Sequence, residues 1–548
     1  MKNTSLIGPL ALALLASPGL SLLGSAQSLN PTAKFNQWSF KDPATDSVPG
    51  ISLAKAYQLL KGRKSVPVTV GVVDSGMDLT HEDLRDVVWK NPKEIANNNL
   101  DDDKNGYVDD VQGWNFMGAK DGTTYEADLD EVSQITTDWR AKFDNADPAT
   151  LSATEKKQYD TYLKAKAQYA KSNARANSLR TLVRDSATYN RGLTAIANVL
   201  ANKPFTRESV TTAEVGTDTA TLGAKNLLLE IFTPQAGSFN NLTTRLGMVY
   251  DRLKPAILAE LGGETPPTNA RRAVGDDVNN PNERNYGSPK LTIGKSEELA
   301  MHGSHVAGII GAKRGNGIGV DGVADNVRLM MVAVVPGGGD ERDKDVANGI
   351  RYAVDNGAKV INMSFGKRFS PYKTAVDAAI RYAEEKDVLL VHAAGNNAEN
   401  VDSLPTYPRP QYDDGTLAKN YMTIGNSTRK LGPTLPASSS NYGQQGVDLF
   451  APGTDIDNTT PHNTYQSLTG TSMAAPCVAG VAALLRSYFP NLTAVQVKEI
   501  LMKSSYKPDL LVRLPGRTGG ALVRFSTLSK SGGIVNAAEA VKLAMTVK

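Results

Sequence analysis

Residues 360–397, VINMSFGKRFSPYKTAVDAAIRYAEEKDVLLVHAAGNN, decide the fold. The stretch opens with a short apolar run at 360–363 that leads into Ser-Phe-Gly. A segment with helical periodicity follows at 373–386, and a second apolar run at 388–394 leads into Gly-Asn-Asn. Two apolar runs joined by a helix predict a β-α-β unit whose strands are parallel and buried on both faces.

The same alternation continues outside this unit. Residues 66–73 form a β-branched run that reaches Asp-Ser-Gly, and residues 327–335 form another that reaches Pro-Gly-Gly-Gly. A helical pattern at 343–356 stops at Gly357. We therefore predict an α/β fold with a parallel sheet and helices on both faces. Ligands of such sheets bind beyond the carboxyl ends of the strands, so the polar residues at those ends are candidate site residues.

The stretch 117–290 differs because it contains few β-branched runs. Ser152 and Glu155 have the spacing of a capping box, and helical periodicity follows them. Residues 241–262 are a second helical candidate, interrupted by a proline. We predict a mainly helical insertion, which could restrict access to the site or dock a partner protein. The predicted division is a leader at 1–26, an α/β domain at 27–116 and 291–548, and the insertion at 117–290.

The first residues have the pattern of a secretory signal peptide. Lys2 precedes a mostly apolar stretch at 6–23, and the small residues at 24–26 suit a cleavage site. A membrane anchor is the alternative, but Pro9 and Pro18 disfavour a stable spanning helix. We expect an exported protein, secreted or periplasmic, without a membrane span after cleavage.

Composition excludes several classes of function. The 60 basic and 57 acidic residues give a net charge of +3, which argues against binding nucleic acid through bulk charge. A single cysteine excludes an internal disulfide framework and a multi-cysteine zinc site.

Three motifs carry residues for nucleophilic catalysis. Asp74 lies in Val-Val-Asp-Ser-Gly, His302 opens His-Gly-Ser-His-Val-Ala-Gly, and Ser472 lies in Gly-Thr-Ser-Met-Ala-Ala-Pro. A serine hydroxyl needs an imidazole to take its proton and a buried carboxylate to orient that imidazole. Taken singly, the three residues have ordinary explanations as a turn residue, a helix-start histidine and an N-cap.

In the order Asp, His, Ser, the motifs closely resemble those of subtilisin-like serine peptidases, the subtilases. The resemblance covers roughly residues 66–115 and 298–544. It implies a serine endopeptidase that acts through an acyl-enzyme, with Asp74 orienting the base, His302 as the base and Ser472 as the nucleophile. Asn396, in Ala-Ala-Gly-Asn, would donate to the oxyanion together with the Ser472 backbone N–H.

The resemblance also implies two chain edges that pair with an extended peptide or protein substrate. Such pairing recognises the backbone, so we expect broad specificity. The predicted substrate-binding residues are Ser364, Phe365 and Gly366 on one edge, Gly339, Asp340 and Glu341 on the other, and Ala394 and Gly395 beside the oxyanion residue.

A loop rich in oxygen donors predicts a structural Ca²⁺ site. Its pattern resembles the start of an EF-hand loop, but Gln112 stands where the twelfth, acidic ligand would be. A polar loop closed by Asx turns is the alternative. The predicted ligands are Asp101, Asp103, Asn105, Tyr107 through its carbonyl, and Asp110 or Asp109. By resemblance to a family calcium site, Asp83 beside the loop 316–320 is a weaker candidate.

The remaining candidates are expected to be structural. His305 follows His302 at helical spacing, yet packing is favoured over a metal site. His392 is expected in the core, and a role in the substrate pocket is the alternative. Cys477 is expected to be a buried thiol. Two other functions stay open, an esterase and a non-catalytic peptide-binding protein on the same fold.

Overall fold

The computed structural model describes residues 35, 37–125, 127–184, 270–291, 300–517 and 521–547, with scattered positions between 192 and 229. The predicted leader at 1–26 and the helical candidate at 241–262 lie outside the described residues. No helix in the described part combines the length and the apolar character that a membrane crossing requires.

Seven parallel strands form the central sheet, in the spatial order β2-β3-β1-β4-β5-β6-β7. These strands are β1 Val68–Asp74, β2 Gly113–Asn115, β3 Val327–Ala333, β4 Val360–Met363, β5 Leu389–Ala393, β6 Tyr421–Ser427 and β7 Leu449–Pro452. Two antiparallel pairs lie outside the sheet: β8 Ile456–Thr460 with β9 Thr464–Leu468, and β10 Leu511–Val512 with β11 Val523–Arg524.

The described α-helices are α1 Leu53–Leu60, α2 Glu131–Asp138, α3 Arg140–Phe143, α4 Ala153–Arg184, α5 Arg207–Thr212, α6 Met301–Gly311, α7 Asp343–Asp355, α8 Lys373–Glu385, α9 Thr471–Tyr488, α10 Ala494–Lys503 and α11 Ala537–Ala544. Short 3₁₀ turns occur at Trp38–Phe40, Ala270–Ala273 and Phe525–Thr527.

Most residues of the sheet strands are buried. Every residue of β4, β5, β6 and β7 is buried, although successive side chains of a strand point to opposite faces. Both faces must therefore be covered, which is why these strands are continuous apolar runs. The predicted parallel sheet with helices on both faces is confirmed.

Strand β1 lies inside the sheet, with β3 on one side and β4 on the other. Because all seven strands are parallel, β1, β4 and β5 end at the same edge. Asp74 is the last residue of β1, Ser364 follows β4, and Asn396 lies three residues beyond β5. The sheet alone thus gathers three predicted site residues at one edge.

The predicted insertion is longer than the separate unit that the structure contains. The chain divides into a sheet unit, Gly24–Glu131 with Asn269–Lys548, and an insert unit within Val132–Thr268. The flanks of the predicted insertion, 117–131 and 269–290, belong to the sheet unit. Asn115 and Ser288 exchange two backbone hydrogen bonds of 2.9 Å, and the Trp114 indole donates to Tyr286 O at 2.8 Å.

The returning flank is held by a buried ionic network. The Arg271 guanidinium contacts Asp345 at 2.6 and 2.8 Å and Asp276 at 2.7 and 2.9 Å. Lys344, next to Asp345 at the start of α7, donates to the same Asp276 at 2.7 Å. The Asp276 and Asp345 side chains are completely buried. Charges with paired, hydrogen-bonded partners can be buried, whereas a charge left without its partner destabilises the fold.

The described residues of the insert unit begin with an aromatic cluster. Phe143 packs against Trp139 and Tyr162 with ring centroids 5.7 Å apart in both pairs, and all three residues are buried. Helix α4 starts with the predicted capping box, in which Glu155 N donates to Ser152 Oγ and Ser152 N donates to the Glu155 carboxylate.

We expect Arg271→Met to destabilise the sheet unit by about 3–5 kcal/mol, because two buried carboxylates lose their main cation. Urea unfolding in a Ser472→Ala background, which removes any self-cleavage, measures this loss. Arg524→Met is the control, since the Arg524–Asp509 ion pair is solvent-exposed. Equal unfolding midpoints for the two variants would show that the network does not hold the returning flank.

Candidate active site

Asp74 presents a buried carboxylate at the end of β1. Its Oδ1 accepts from its neighbour Ser75 N at 2.8 Å and from His302 Nδ1 at 2.7 Å. Asp74 is 1% exposed, so the carboxylate is held in a fixed orientation away from water. The predicted pair of carboxylate and imidazole is therefore brought together across 228 residues of sequence.

His302 lies in the first turn of α6, and its neighbour Gly303 allows that helix to start beside β1. A Cβ on Gly303 would lie 2.0 Å from Gly76 O, so a larger residue would push the helix away from Asp74. Burial alone would lower the pKa of the His302 imidazole, but the charge of Asp74 and the hydrogen bond to it raise the pKa above the ordinary histidine value. The side chain remains 37% exposed, so a substrate can reach the ring.

Ser472 is the second residue of α9, a helix that packs against α6 and β1. Its Oγ donates to Ser364 O at 3.1 Å, and Ser364 Oγ donates to Ser472 O at 2.9 Å. Ser472 Oγ makes no hydrogen bond with His302 in the described structure. The hydroxyl must therefore turn away from Ser364 before the imidazole can take its proton.

Two hydrogen-bond donors converge next to Ser472. Thr471 N donates to Asn396 Oδ1 at 2.9 Å, which leaves Asn396 Nδ2 as the outward-facing donor. A Cβ on Gly470 would lie 3.3 Å from Asn396 Nδ2 and 3.7 Å from Ser472 N, so both groups flank one small space. Negative charge that develops there would be stabilised by both donors and by the N-terminus of α9.

The predicted substrate edges are only partly available. Gly366 and Gly339 are exposed, and the hydrogen bonds of the described chain do not use their backbone groups. Asp340 N donates to Leu129 O at 3.3 Å, and Glu341 O accepts from a lysine of the opposite edge at 2.8 Å. One backbone group of each residue is therefore engaged within the fold, and the pairing of Asp340 and Glu341 with substrate stays a prediction.

Ala394 and Gly395 are also engaged within the fold. Asn441 Nδ2 donates to Ala394 O at 2.8 Å, and Asn441 N donates to Gly395 O at 2.9 Å. Gly395 N donates to Thr471 Oγ1 at 3.1 Å. These contacts fix the chain that carries Asn396, so the two residues position the donor rather than pair with a peptide.

His392 supports the edge formed by Ser364, Phe365 and Gly366. Its Nε2 donates to Phe365 O at 2.7 Å, and its ring packs against those of Phe365 and Tyr421. Burial lowers the pKa of His392 to about 4, so the ring is neutral near pH 7. The core position was expected from the sequence. The contact with Phe365 was not, because it depends on how β4 and β5 pair.

The other histidines and the cysteine are structural. His305 Nε2 donates to the carbonyls of β8 and β9, and burial lowers its pKa to about 3. His81 is buried and contacts Thr464 O. Cys477 is buried within α9, which raises the pKa of the thiol to about 12. None of the three offers an accessible nucleophile or an open metal ligand.

A model of the subtilase family matches residues 66–520. The chain belongs to the subtilase family. This subtilase is 37% identical over 212 residues to the thermophilic serine proteinase of Bacillus sp. (strain AK1), 38% of this chain and 48% of that protein. It is 37% identical over 204 residues to the cell wall-associated protease of Bacillus subtilis (strain 168), 37% of this chain and 21% of that protein.

Subtilisin Savinase of Lederbergia lenta is 38% identical over 204 residues, 37% of this chain and 70% of that protein. The subtilase thus spans about half or less of the length of the first two curated relatives. All three matches cover less than two fifths of the chain.

A cluster of carboxylates stands apart from the triad. Glu94, Asp101 and Asp103 each place an oxygen within 4.8 Å of the others. Glu94 Oε1 accepts from Asp103 N at 3.1 Å, while the buried Glu94 Oε2 makes no hydrogen bond in the described structure. Such a donor set suits a hard cation such as Ca²⁺. The loop motif predicted Asp101 and Asp103, but Glu94 precedes the motif and was missed.

Other predicted ligands hold the loop together. Asn105 Oδ1 accepts from Tyr107 N, and Asn105 Nδ2 donates to Asp110. The two Asp110 oxygens also accept from Asn91 and from Tyr352, and burial raises the pKa of Asp110 to about 6. Asp101 also accepts from two N–H groups of the loop, so such contacts do not separate ligands from loop residues, and Asn105 and Asp110 stay predicted ligands.

Asp109 and Asp83 likewise have protein partners. The Asp109 carboxylate accepts from the backbone N–H groups of residues 98 and 99. Asp83 Oδ1 accepts from Asn316 Nδ2, and its Oδ2 accepts from Val320 N and from Tyr465 OH. The loop 316–320 thus supplies two N–H donors to Asp83, and the weaker calcium site at Asp83 stays a prediction.

We expect the pKa of His302 to lie above the ordinary histidine value, and Asp74→Asn to bring it below that value. The variant removes the negative charge, so burial becomes the dominant influence. NMR titration of the His302 imidazole in a Ser472→Ala background measures both values without requiring activity. An unchanged titration in Asp74→Asn would contradict the coupling of the two side chains.

Proposed function

We propose that this subtilase is a serine endopeptidase that hydrolyses peptide bonds through an acyl-enzyme. The observation that carries the proposal is the 2.7 Å contact between His302 Nδ1 and the buried Asp74 carboxylate. That contact keeps the Nε2 of the neutral ring free to accept a proton. It lies at the sheet edge where Ser472 and Asn396 also meet.

The proposed reaction starts when Ser472 Oγ leaves Ser364 O and transfers its proton to His302 Nε2. Oγ bonds to the scissile carbonyl carbon, and the carbonyl oxygen becomes an oxyanion between Asn396 Nδ2 and Ser472 N. His302 then gives its proton to the leaving amine, which leaves an acyl-enzyme. Water attacks the ester in the same way, with His302 again as the base, and regenerates the serine.

Backbone recognition supports tolerance of many substrate side chains. The exposed backbone groups of Gly366 and Gly339 can pair with the backbone of any peptide. This pairing does not require a particular side chain in the substrate. We further propose that residues 1–26 direct export to the periplasm or the medium, and that the insert unit is where a partner protein would dock.

We also propose a structural Ca²⁺ at Glu94, Asp101 and Asp103. Three carboxylates gathered within 4.8 Å repel one another unless a cation lies between them, and Glu94 Oε2 has no other partner in the described chain. The ion would fix the loop that precedes β2 and would take no part in the reaction.

Ser472→Ala is expected to abolish covalent labelling by a fluorophosphonate probe. Asn396→Ala is expected to keep the labelling site but to lower kcat by about 10²–10³-fold, the loss seen when such a donor is removed from a subtilisin. Asn397→Ala, a change at the adjacent exposed asparagine, is the control and should retain kcat. Turnover of Asn396→Ala within threefold of the parent, or labelling of Ser472→Ala, would contradict the proposal. No labelling of the folded, calcium-loaded parent would favour the peptide-binding alternative.

Ca²⁺ is expected to raise the thermal unfolding temperature, because an ion that binds only the folded state stabilises it. Glu94→Gln should raise the Ca²⁺ concentration needed for half of this effect by about tenfold or more, since one charged ligand is lost. Asp86→Asn, which removes an exposed acid nearby, is the control. Equal Ca²⁺ responses of the two variants would show that Glu94 is not a ligand.

A further inference from the structure

The two predicted substrate edges are not joined by the sheet itself. The edge 339–341 follows β3 and the edge 364–366 follows β4, and β1 lies between these two strands. Neighbouring strands are about 4.8 Å apart, so edges that continue β3 and β4 are separated by about 10 Å, which is room for one extended peptide. Both strands end before the edges begin, so contacts outside the sheet have to hold this separation.

The flank that leads into the insertion runs along the edge 339–341. Asp340 N donates to Leu129 O at 3.3 Å. The approach is so close that a Cβ on Gly339 would lie 2.2 Å from Asp128 O. This flank therefore lies directly against one of the two substrate edges and fixes its path.

Glu131 ends this flank, as the last residue of the sheet unit before the insert unit. Its backbone N–H donates to Asp340 Oδ2 at 2.8 Å, which bonds it to the first edge. Its side chain contacts the chain that continues the edge 364–366. There, Glu131 Oε2 accepts from Phe369 N at 2.7 Å, and Oε1 contacts Lys367 Nζ at 2.8 Å. Glu131 is only 1% exposed, so water does not compete for these contacts.

Lys367 completes the connection between the edges. Its Nζ donates to Glu341 O at 2.8 Å and also contacts Asp343 at 2.9 Å. Together with Glu131, these acceptors account for all three ammonium protons, so the lysine side chain is held in one position. Glu131 and Lys367 thus form a buried bridge from the edge 364–366 to the edge 339–341.

We propose that Glu131 is a positioning residue that holds the two substrate edges at the separation a peptide needs. The space between the edges is the substrate groove, and the inference rests on the proposed peptidase function. Glu131 acts on this groove through Asp340 and Lys367 rather than by touching the substrate. The flank of the insertion is therefore part of the apparatus that binds the peptide, in addition to being a connection to the insert unit.

The test compares Glu131→Ala with the parent on two substrates. An extended chromogenic peptide pairs with both edges, whereas p-nitrophenyl acetate reacts with Ser472 and pairs with neither. We expect KM for the peptide to rise by about tenfold, the loss that one or two backbone hydrogen bonds bring, while kcat changes by less than about twofold. Hydrolysis of p-nitrophenyl acetate should also stay within about twofold of the parent.

Two further variants separate the positioning role from a general loss of structure. Glu131→Gln keeps an acceptor for the bridge, so its peptide KM should lie closer to the parent than that of Glu131→Ala. The matched control is Glu283→Ala, which removes an acid that is likewise paired with a lysine, Lys344, on the flank that returns from the insertion. It should keep the peptide KM of the parent.

A double-mutant cycle guards the test against misfolding. Lys367→Met removes the bridge from its other end, and Glu131→Ala with Lys367→Met leaves neither charge of the pair behind. Because the two residues act as one unit, the double variant should have a peptide KM close to that of either single variant. Fluorophosphonate labelling reports which variants retain a folded site.

A labelled Glu131→Ala variant with the peptide KM of the parent would overturn the positioning role. So would equal losses on the peptide and on p-nitrophenyl acetate, since a merely structural residue affects both substrates alike. A labelled parent that cleaves no peptide would instead overturn the peptidase assignment, and the positioning role with it.

Discussion

The shared edge at which β1, β4 and β5 end is the constraint on which the rest of the structure depends. Parallel strands bring their carboxyl ends to one side of a sheet, and here those ends carry Asp74, Ser364 and the approach to Asn396. Helices α6 and α9 then begin at the same side with His302 and Ser472 in their first turns. The strand ends and these two helix starts therefore bring together residues that are hundreds of positions apart in the sequence.

Burial gives each part of this edge a defined orientation. Asp74 is fixed because its Oδ1 has two donors and no access to water, and Asn396 is fixed because Thr471 dictates which side of its amide faces inward. The position of Ser472 is different, since its hydroxyl is bound to Ser364 O. In the proposed reaction, Asp74, His302 and Asn396 are thus already in place, and only the Ser472 hydroxyl has to move.

Local patterns in the sequence were sufficient for most elements of the sheet and the helices beside them. The runs at 360–363 and 388–394 and the helices beside them were predicted to within a residue or two, because buried parallel strands have no polar face. Strand β2 was missed because three residues, Gly-Trp-Asn, carry no periodic signal. Glu94 was missed because the loop motif predicts ligands only among its own positions, and Glu94 precedes it. A turn of the chain brings the Glu94 carboxylate to Asp103 N.

Other contacts depend on long-range pairing. Arg271, on the flank that returns from the insertion, binds carboxylates 5 and 74 residues away, which no local pattern reveals. Asp340 N donates to Leu129 O and Glu341 O accepts from Lys367 Nζ, and the sequence revealed neither contact. Buried charges thus hold the flanks of the insertion in the sheet unit. The same flanks border the proposed substrate groove.

The structure of this subtilase with a peptide boronic acid tests the central claim most directly. The account predicts boron bonded to Ser472 Oγ, released from Ser364 O, with one boronate oxygen about 3 Å from both Asn396 Nδ2 and Ser472 N. His302 should then lie within hydrogen-bond distance of the second boronate oxygen while its Nδ1 stays on Asp74. A bound inhibitor that leaves Ser472 Oγ on Ser364 O, or that places no oxygen between the two donors, would contradict it.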